Sequence, residues 1–427
     1  MRVTIIALGT QGSVQPHIAL GLGLQAAGHE VCLLTNEDFI ELAQNAGLKN
    51  CVTVFGSVQY WMNRDKAYHK EKKESLLAGA WRWRSLAQPF VTEFLRVCWE
   101  AACEWKTEAL ISSWTGYSVG EPIAQKLGIP HIPALVQPLH HTREFPNMFW
   151  PSAPRWLGKG QDYYNLASHR ISERILRLFG EGLLNRAQAA VLDLPPTRHT
   201  RRTMTLYGIS PALMPKPHDW KENVYVTGFW PLERASAWEP PADLVDFLNA
   251  GEPPVYVGFG SVSARDPERT THIVVEALKR VRCRALLATG WGGLVPGELP
   301  DNMFQIKEAP HDWLFPRMAA LVHHGGPGTT AVGLRAGVPT QVIPFITDQF
   351  LFGKLIERRQ VGPAPILQKR LTIDNLAANI KRMMTDRTMR ENARSLGEQA
   401  HNEDGVRRAV ELFEEHIVAR RDVKISA

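Results

Sequence analysis

The chain has 427 residues, 44% hydrophobic and 22% charged, an ordered globular composition too long for one ordinary core and suited to two domains of about 200 residues each. Its formal net charge of +6 comes from scattered lysines and arginines with no nucleic-acid motif beside them, which argues against a nucleic-acid partner. No window of about 18 uninterrupted apolar residues occurs, which argues against a transmembrane helix.

Val3 to Leu8 is a short apolar run that leads straight into a glycine turn, the pattern of a buried first strand and not of a secretory leader. A helix is expected from about Pro16 to Ala27, stopped by Gly28. Glu30 to Thr35 then reads as a second strand, and about Asn36 to Ala46 as a helix ended by Gly47. The stretch from Trp61 to Trp105 holds Trp81-Arg82-Trp83-Arg84 beside Lys66, Lys70, Lys72 and Lys73. It reads either as an amphipathic helix pair with a solvated basic face, or as a greasy mouth that rests on a membrane surface or admits an apolar molecule. Leu110 to Ser113 and His131 to Ala134 fit two further strands, with a helix from Val119 to Leu127 between them. Such a βαβ train is a parallel sheet, and ligands bind at the carboxyl ends of its strands.

Between Glu222 and Pro254 the prolines at 231, 240, 241, 253 and 254 close any long element and mark the domain boundary. The expected division is a first domain over 1–230, a linker over 231–253, a second domain over 254–400 and a terminal helix over 401–427. In the second half Val255 to Phe259, Arg284 to Thr289, Asn302 to Lys307 and Ala319 to Val322 read as strands, and Pro267 to Val281 as a helix. Leu371 to Met384, Thr388 to Ala400 and Val406 to Ala419 read as the last helices. The five cysteines, Cys32, Cys51, Cys98, Cys103 and Cys283, are odd in number and lack metal-ligand spacing. Cys98 and Cys103 read as packing thiols on a helix, in keeping with a cytoplasmic protein.

The run His323-His324-Gly325-Gly326-Pro327-Gly328-Thr329-Thr330 is the most informative stretch. A buried strand enters a turn of small residues that gives way to a helix from about Thr329. Unpaired N–H groups and a positive dipole end at such a helix start suit a diphosphate. The glycines permit close backbone approach, the threonines add donors, and His324 supplies a further donor or a charge. Asp348 and Gln349 follow as polar acceptors for sugar hydroxyls.

Five motifs in order, Gly9-Thr10-Gln11-Gly12-Ser13-Val14-Gln15-Pro16, Val257-Gly258-Phe259-Gly260-Ser261, Ala309-Pro310-His311-Asp312-Trp313-Leu314-Phe315-Pro316, the His323 to Thr330 run, and Asp348-Gln349-Phe350, resemble the UDP-glycosyltransferases. The likeness is greatest to the sterol 3-β-glucosyltransferases and to bacterial enzymes acting on lipids and natural products. It implies an α/β protein of the GT-B fold, two Rossmann-like domains with parallel sheets facing across a cleft, the first binding the acceptor and the second the donor. The terminal helix is then expected to pack back on the first domain. The resemblance also implies inversion at the anomeric carbon, no bound metal and no cofactor beyond the UDP-sugar itself.

On matching positions, the resemblance puts Ala309 and His311 at the uracil ring and His324 at the diphosphate, over the turn of Pro327, Gly328 and Thr329. Gly260 and Ser261 close on the phosphates, Asp348 and Gln349 read the sugar hydroxyls, and Thr10 and Gln11 of the first-domain loop are expected to contact the donor, while Trp291 reads either as packing near the nucleotide or as simple loop packing. His323 reads as structural. One departure stands out. Where the family carries an acidic residue or histidine as general base, this chain has Ser13, which takes no proton at neutral pH. His17, one helical turn on, is the expected substitute, with His140 and His141 as weaker alternatives. Without a base, the acceptor hydroxyl must itself be acidic, as in a phenol.

The acceptor implied is large and apolar, lined by Trp61, Trp81, Trp83, Phe90, Phe94, Phe145, Met148, Phe149 and Trp150, with contact at a membrane surface as a further expectation. Two rivals are another GT-B enzyme, an epimerase or a phosphorylase, and a non-catalytic protein that binds nucleotide sugar or activates a partner. Ser13 keeps the second in play; Asp348-Gln349 speaks against it.

Overall fold

The computed structural model describes residues 1–56, 76–195, 204–233, 238–260, 266–290, 294–295, 297–346 and 348–419, with the backbone alone at 55, 76–86 and 155. Two compact units emerge, the first comprising Met1–Gly208, Lys216–Trp230 and Gly405–Ala427, the second Ile209–Pro215 and Pro231–Asp404.

The first unit runs β1 (Arg2–Ile6), α1 (Gln11–Ala26), β2 (Glu30–Asn36), α2 (Ile40–Ala46), β3 (Asn50–Phe55), α3 (Leu76–Glu104), β4 (Ala109–Ser112), α4 (Trp114–Leu127), β5 (His131–Leu135), α5 (Gln161–Leu192), β6 (Thr205–Tyr207) and β7 (Val224–Val226). Its strands are all parallel in the order β3-β2-β1-β4-β5-β6-β7. The chain winds outward from β1 to β3 and then returns beside β1 as β4, so the topological switch point lies between β1 and β4. Ile6, Leu34 and Leu110 of the sheet share a core with Leu95 and Cys98 of α3, Ile123 of α4 and Ala187 of α5. Cys103 is exposed, so of the two α3 thiols only Cys98 packs.

The second unit begins with α6 (Ala242–Asn249), a short helix inside the stretch that composition marks as linker. Then follow β8 (Val255–Gly258), α7 (Pro267–Val281), β9 (Ala285–Ala288), β10 (Met303–Ile306), α8 (His311–Leu314), β11 (Ala320–His323), α9 (Pro327–Arg335), β12 (Thr340–Val342), α10 (Gln349–Arg358), α11 (Ile373–Thr385) and α12 (Arg387–Asn402). Its strands are parallel in the order β10-β9-β8-β11-β12, which puts the switch point between β8 and β11. The core holds Val257, Leu287 and Val322 of the sheet against Val274 of α7 and Ile380 of α11. Asp266 caps α7 through its carboxylate on the Arg269 N–H, with Pro267 at the first helical position.

Residues 209–215 interrupt the first unit but belong to the second. The Glu403 carboxylate accepts from the Ser210 hydroxyl (2.8 Å) and the Ala212 N–H (3.3 Å), and Arg359 Nε donates to Leu213 O (2.9 Å). The last helix, α13 (Gly405–Phe413), belongs to the first unit and lies against α1. Gly23 of α1 has no room for a side chain because Val406 fills the space, and Trp230 Nε1 donates to Gly405 O at 3.2 Å. Among the described residues no helix is long and apolar enough to cross a membrane.

α1 starts at Gln11, five residues before the Pro16 start that turn chemistry suggests, so Pro16 sits inside the helix. The Thr10 carbonyl accepts from the Ser13 and Val14 N–H groups (2.8 and 3.1 Å), which closes the first turn ahead of the proline.

Candidate active site

The second unit's switch point is built from backbone that tolerates no side chains. Gly260, after β8, has φ +61°, and a Cβ there would lie 3.1 Å from His324 Cε1. Gly290, after β9, has φ +54°, and a Cβ there would lie 2.5 Å from Gly260 O. Gly326 likewise has no space for a Cβ, because His324 Nε2 occupies it. The His324 ring is therefore held between Gly260 and Gly326 at the ends of two neighbouring strands.

The turn is stabilised from below by His323. Its Nδ1 accepts from the Gly325 N–H at 2.9 Å, which leaves the ring proton on Nε2. Gly325 has φ +88°, and a Cβ there would lie 2.5 Å from Val342 Cγ1 and 3.1 Å from Gln349 O. This close approach brings the start of α10 beside the turn. Gly326 is the N-cap of α9, which begins at Pro327, two residues earlier than sequence suggested. Pro327 has no N–H to lose, and the Gly328 and Thr329 N–H groups of the first turn have no acceptor within their own helix. Pro327, Gly328 and Thr329 are half-buried, whereas the Thr330 hydroxyl is buried and has no partner among the described residues.

Electrostatically this end is a dipole site rather than a cationic one. Burial holds the His324 imidazole down at about 4, so it is neutral at physiological pH, and its buried Nδ1 has no partner among the described residues. Burial, then the neighbouring His324 and His311, holds His323 well below its ordinary value. The sequence left open whether His324 brings a donor or a charge; the environment selects a neutral ring able to share one proton.

Asp348 is the N-cap of α10 and is buried. Gln349 departs from its expected role as acceptor. Its Oε1 already accepts from the Phe345 and Ile346 N–H groups (2.7 and 3.1 Å), so what it retains for a ligand is the carboxamide N–H pair. His311 opens α8, stacks on Phe315 with ring centroids 4.3 Å apart, and has Nε2 3.2 Å from the Tyr256 hydroxyl. Ala309 lies just before it and packs against the buried cluster that includes Leu314 and Phe315. Ser261 and Trp291 lie outside the described residues. Sequence reasoning passed over Gly290, whose signal was its position directly after a strand.

The first unit's switch point gathers Gly9, Thr10, Gln11 and Ser13. Gly9 has φ +122° and donates its N–H to Asn36 Oδ1 at 2.9 Å, while the Thr115 hydroxyl donates to Leu8 O at 2.8 Å. Thr10 is the N-cap of α1, and Thr10, Gln11 and Ser13 are half-buried. His17 does lie with Ser13, but not as an open base. The ring is fully buried, with Nδ1 2.7 Å from Ser13 O and Nε2 2.9 Å from Ala134 O on β5. Burial lowers its pKa against the opposing pull of the two carbonyls. Both nitrogens face backbone oxygens, so as placed the ring ties α1 to β5 and offers no lone pair to a substrate hydroxyl.

His140 and His141 are committed as well. The Tyr207 hydroxyl accepts from the Leu139 and His140 N–H groups, so its own proton goes to His140 Nδ1, 2.7 Å away. His141 pairs with Glu173 at 3.1 Å. Of the expected acceptor lining, Phe94, Phe145 and Met148 are core, and Trp150 donates through Nε1 to Ser172 on α5 (2.8 Å). Phe90 and Phe149 keep open faces. Trp61 and the side chains of Trp81 and Trp83 lie outside the described residues.

Residues 293–411 match the family described as "Erythromycin biosynthesis protein CIII-like, C-terminal domain". The chain is 34% identical to the sterol 3-beta-glucosyltransferase UGT80A2 of Arabidopsis thaliana, over 98% of this chain and 66% of that protein. It is 32% identical to UGT80B1 of the same plant, over 98% and 68%, and 33% identical to the sterol 3-beta-glucosyltransferase of Candida albicans, over 96% and 27%. It thus spans roughly two thirds of the plant proteins and a far smaller part of the fungal one. Among solved structures, the spinosyn forosaminyltransferase SpnP superposes with a TM-score of 0.68 at 19% identity, over 98% of this chain and 99% of that one. The glycosyltransferase VinC, solved in complex with DTDP, gives 0.62 at 18% identity, over 99% and 100%. These likenesses identify the fold as GT-B, and on its identity to the plant enzymes the chain belongs to the UDP-glycosyltransferases, alongside the sterol 3-beta-glucosyltransferases.

Proposed function

We propose that the protein transfers a hexose, glucose by preference, from a UDP-sugar to a hydroxyl of a large apolar acceptor, a sterol, lipid or polyketide-type phenol, with inversion at the anomeric carbon. The observation that carries this reading is the turn at 323–329, with the buried 348–349 pair drawn beside it at Gly325. In the proposed reaction the acceptor oxygen attacks the anomeric carbon as the bond to the diphosphate breaks. The electron pair leaves with UDP, whose growing charge meets the Gly328 and Thr329 N–H groups, the dipole of α9 and the neutral His324. Ala309 and His311 hold the base, and Ser261 and Trp291 are assigned to the phosphates and the nucleotide. Asp348 accepts from sugar hydroxyls, and Gln349 donates to one.

Ser13 is assigned to the acceptor hydroxyl and Thr10 and Gln11 to the donor, with His17 positioning Ser13 through its carbonyl. This arrangement favours an acceptor whose hydroxyl is already acidic, because a phenol near pKa ~10 gives up its proton to solvent far more readily than an aliphatic alcohol. UDP release from UDP-glucose is measured with a phenolic polyketide and with a sterol. Turnover on the phenol exceeding that on the sterol supports the reading, and sterol turnover that collapses in His17→Gln without loss of fold restores His17 as the base. Tight UDP binding with no turnover on any acceptor favours the non-catalytic alternative.

A further inference from the structure

The longest helix among the described residues, α5, carries side chains that a water-facing helix ordinarily lacks. Three arginine–aliphatic pairs recur along it, Arg170-Ile171, Arg174-Ile175 and Arg177-Leu178. Steps of four and three residues put the three aliphatic side chains on one stripe and the three arginines on the stripe beside it. The apolar stripe is open: Leu178 is 76% exposed, Ile171 and Ile175 nearly half, and the neighbouring Leu176 and Phe179 each 52%. Tyr163, one end of the same helix, is 71% exposed, and a cavity of about 660 Å³ runs from it to Arg177 over Leu166, Ala167 and Ile171.

A contiguous apolar patch of this kind on a soluble chain marks a surface that is covered in use. Arg177 donates to Glu173 on the same helix (2.7 Å), so Arg170 and Arg174 are the cations that select what covers it. Guanidinium groups pair bidentately with phosphate, while aliphatic side chains one step round the helix reach the acyl boundary beneath a headgroup layer. A second copy of this chain would set the same arginines against each other. We propose that the stretch from Tyr163 to Phe179 of α5 is a docking surface for a bilayer rich in anionic phospholipid. This rests on the reading above only for its purpose, since an apolar acceptor partitions into such a bilayer; the docking itself needs neither donor nor acceptor.

The test is co-sedimentation of the full chain with vesicles of phosphatidylcholine alone and with about 30% phosphatidylglycerol at physiological ionic strength. The expected result is binding to the anionic vesicles only, weakened about fivefold for each of Arg170→Gln and Arg174→Gln. Binding is expected to vanish in the combined variant Ile171→Ser, Ile175→Ser, Leu178→Ser and Phe179→Ser. UDP binding by calorimetry verifies that each variant is folded. Wild-type protein that stays in the supernatant, or a quadruple serine variant that binds as well as wild type, overturns the proposal. So does a concentration-dependent dimer that the serine changes abolish while vesicles bind nothing. Failure to turn over UDP-glucose leaves the vesicle result intact, so the two readings fail separately.

Discussion

Gly260 and His324 meet across adjacent strand ends of the second unit, at a separation that leaves 3.1 Å between a Cβ on the glycine and Cε1 of the imidazole. Gly290 closes the same corner against Gly260 O, so two glycines with positive φ and one neutral ring define the shape of the proposed diphosphate site. A side chain at either glycine moves the imidazole or the loop behind it.

Gly260→Ala and Gly290→Ala are therefore expected to weaken UDP binding by tenfold or more, about 1.4 kcal/mol, with Gly290→Ala the more severe because its Cβ meets backbone. The left-handed conformation adds roughly 1 kcal/mol of strain to each variant. Isothermal calorimetry with UDP reads the first effect and thermal melting the second; unchanged affinity in both variants rules out a diphosphate at this corner.

Stability is expected to fall on acidification between pH 6.5 and 4. His324 and His169 are both buried and held at about 4, chiefly by desolvation, against an ordinary value of 6.5. Above pH 6.5 neither state binds the proton and the contribution is flat. Below it the unfolded chain takes up protons that the native rings refuse, which destabilises the fold by up to roughly 3 kcal/mol per ring by pH 4. Melting curves from pH 7.5 to 4.5 follow the loss. His324→Gln should reduce the slope while leaving the part due to His169, and an identical slope in that variant contradicts the assignment.

Ser13→Asp is expected to raise turnover on aliphatic alcohols more than on phenols, because it places a carboxylate in the first turn of α1, where the helix dipole favours it. The measurement is kcat/KM for matched alcohol and phenol acceptors. An equal change in both places the proton transfer elsewhere.

Gln349→Glu keeps the acceptor that binds the Phe345 and Ile346 N–H groups but removes the carboxamide donor. It should leave the melting temperature near wild type while lowering kcat/KM for UDP-glucose tenfold or more, whereas Gln349→Ala should also cost about 1–3 kcal/mol of stability. Equal kinetics for Gln349→Glu and wild type remove Gln349 from the sugar site.

Two parallel α/β folds, the glycine turn after β11 and the bounds of α7 were legible in the sequence. They rest on local chemistry: apolar runs of strand length, a Pro at the first helical position, and glycines where φ is positive. α5 was not legible as a helix, since apolar residues on its open stripe blur the period that marks a buried face. Which way the polar side chains point was beyond the sequence as well. His17 lies one turn from Ser13, as spacing dictates, yet its other nitrogen faces Ala134, 117 residues away. Gln349 spends its oxygen on the loop before it, and His324 loses its charge to burial. Spacing along the chain fixes which residues share a turn; only the packed structure sets their partners and protonation, because both depend on what other strands bring within hydrogen-bonding distance and on how much water they shut out.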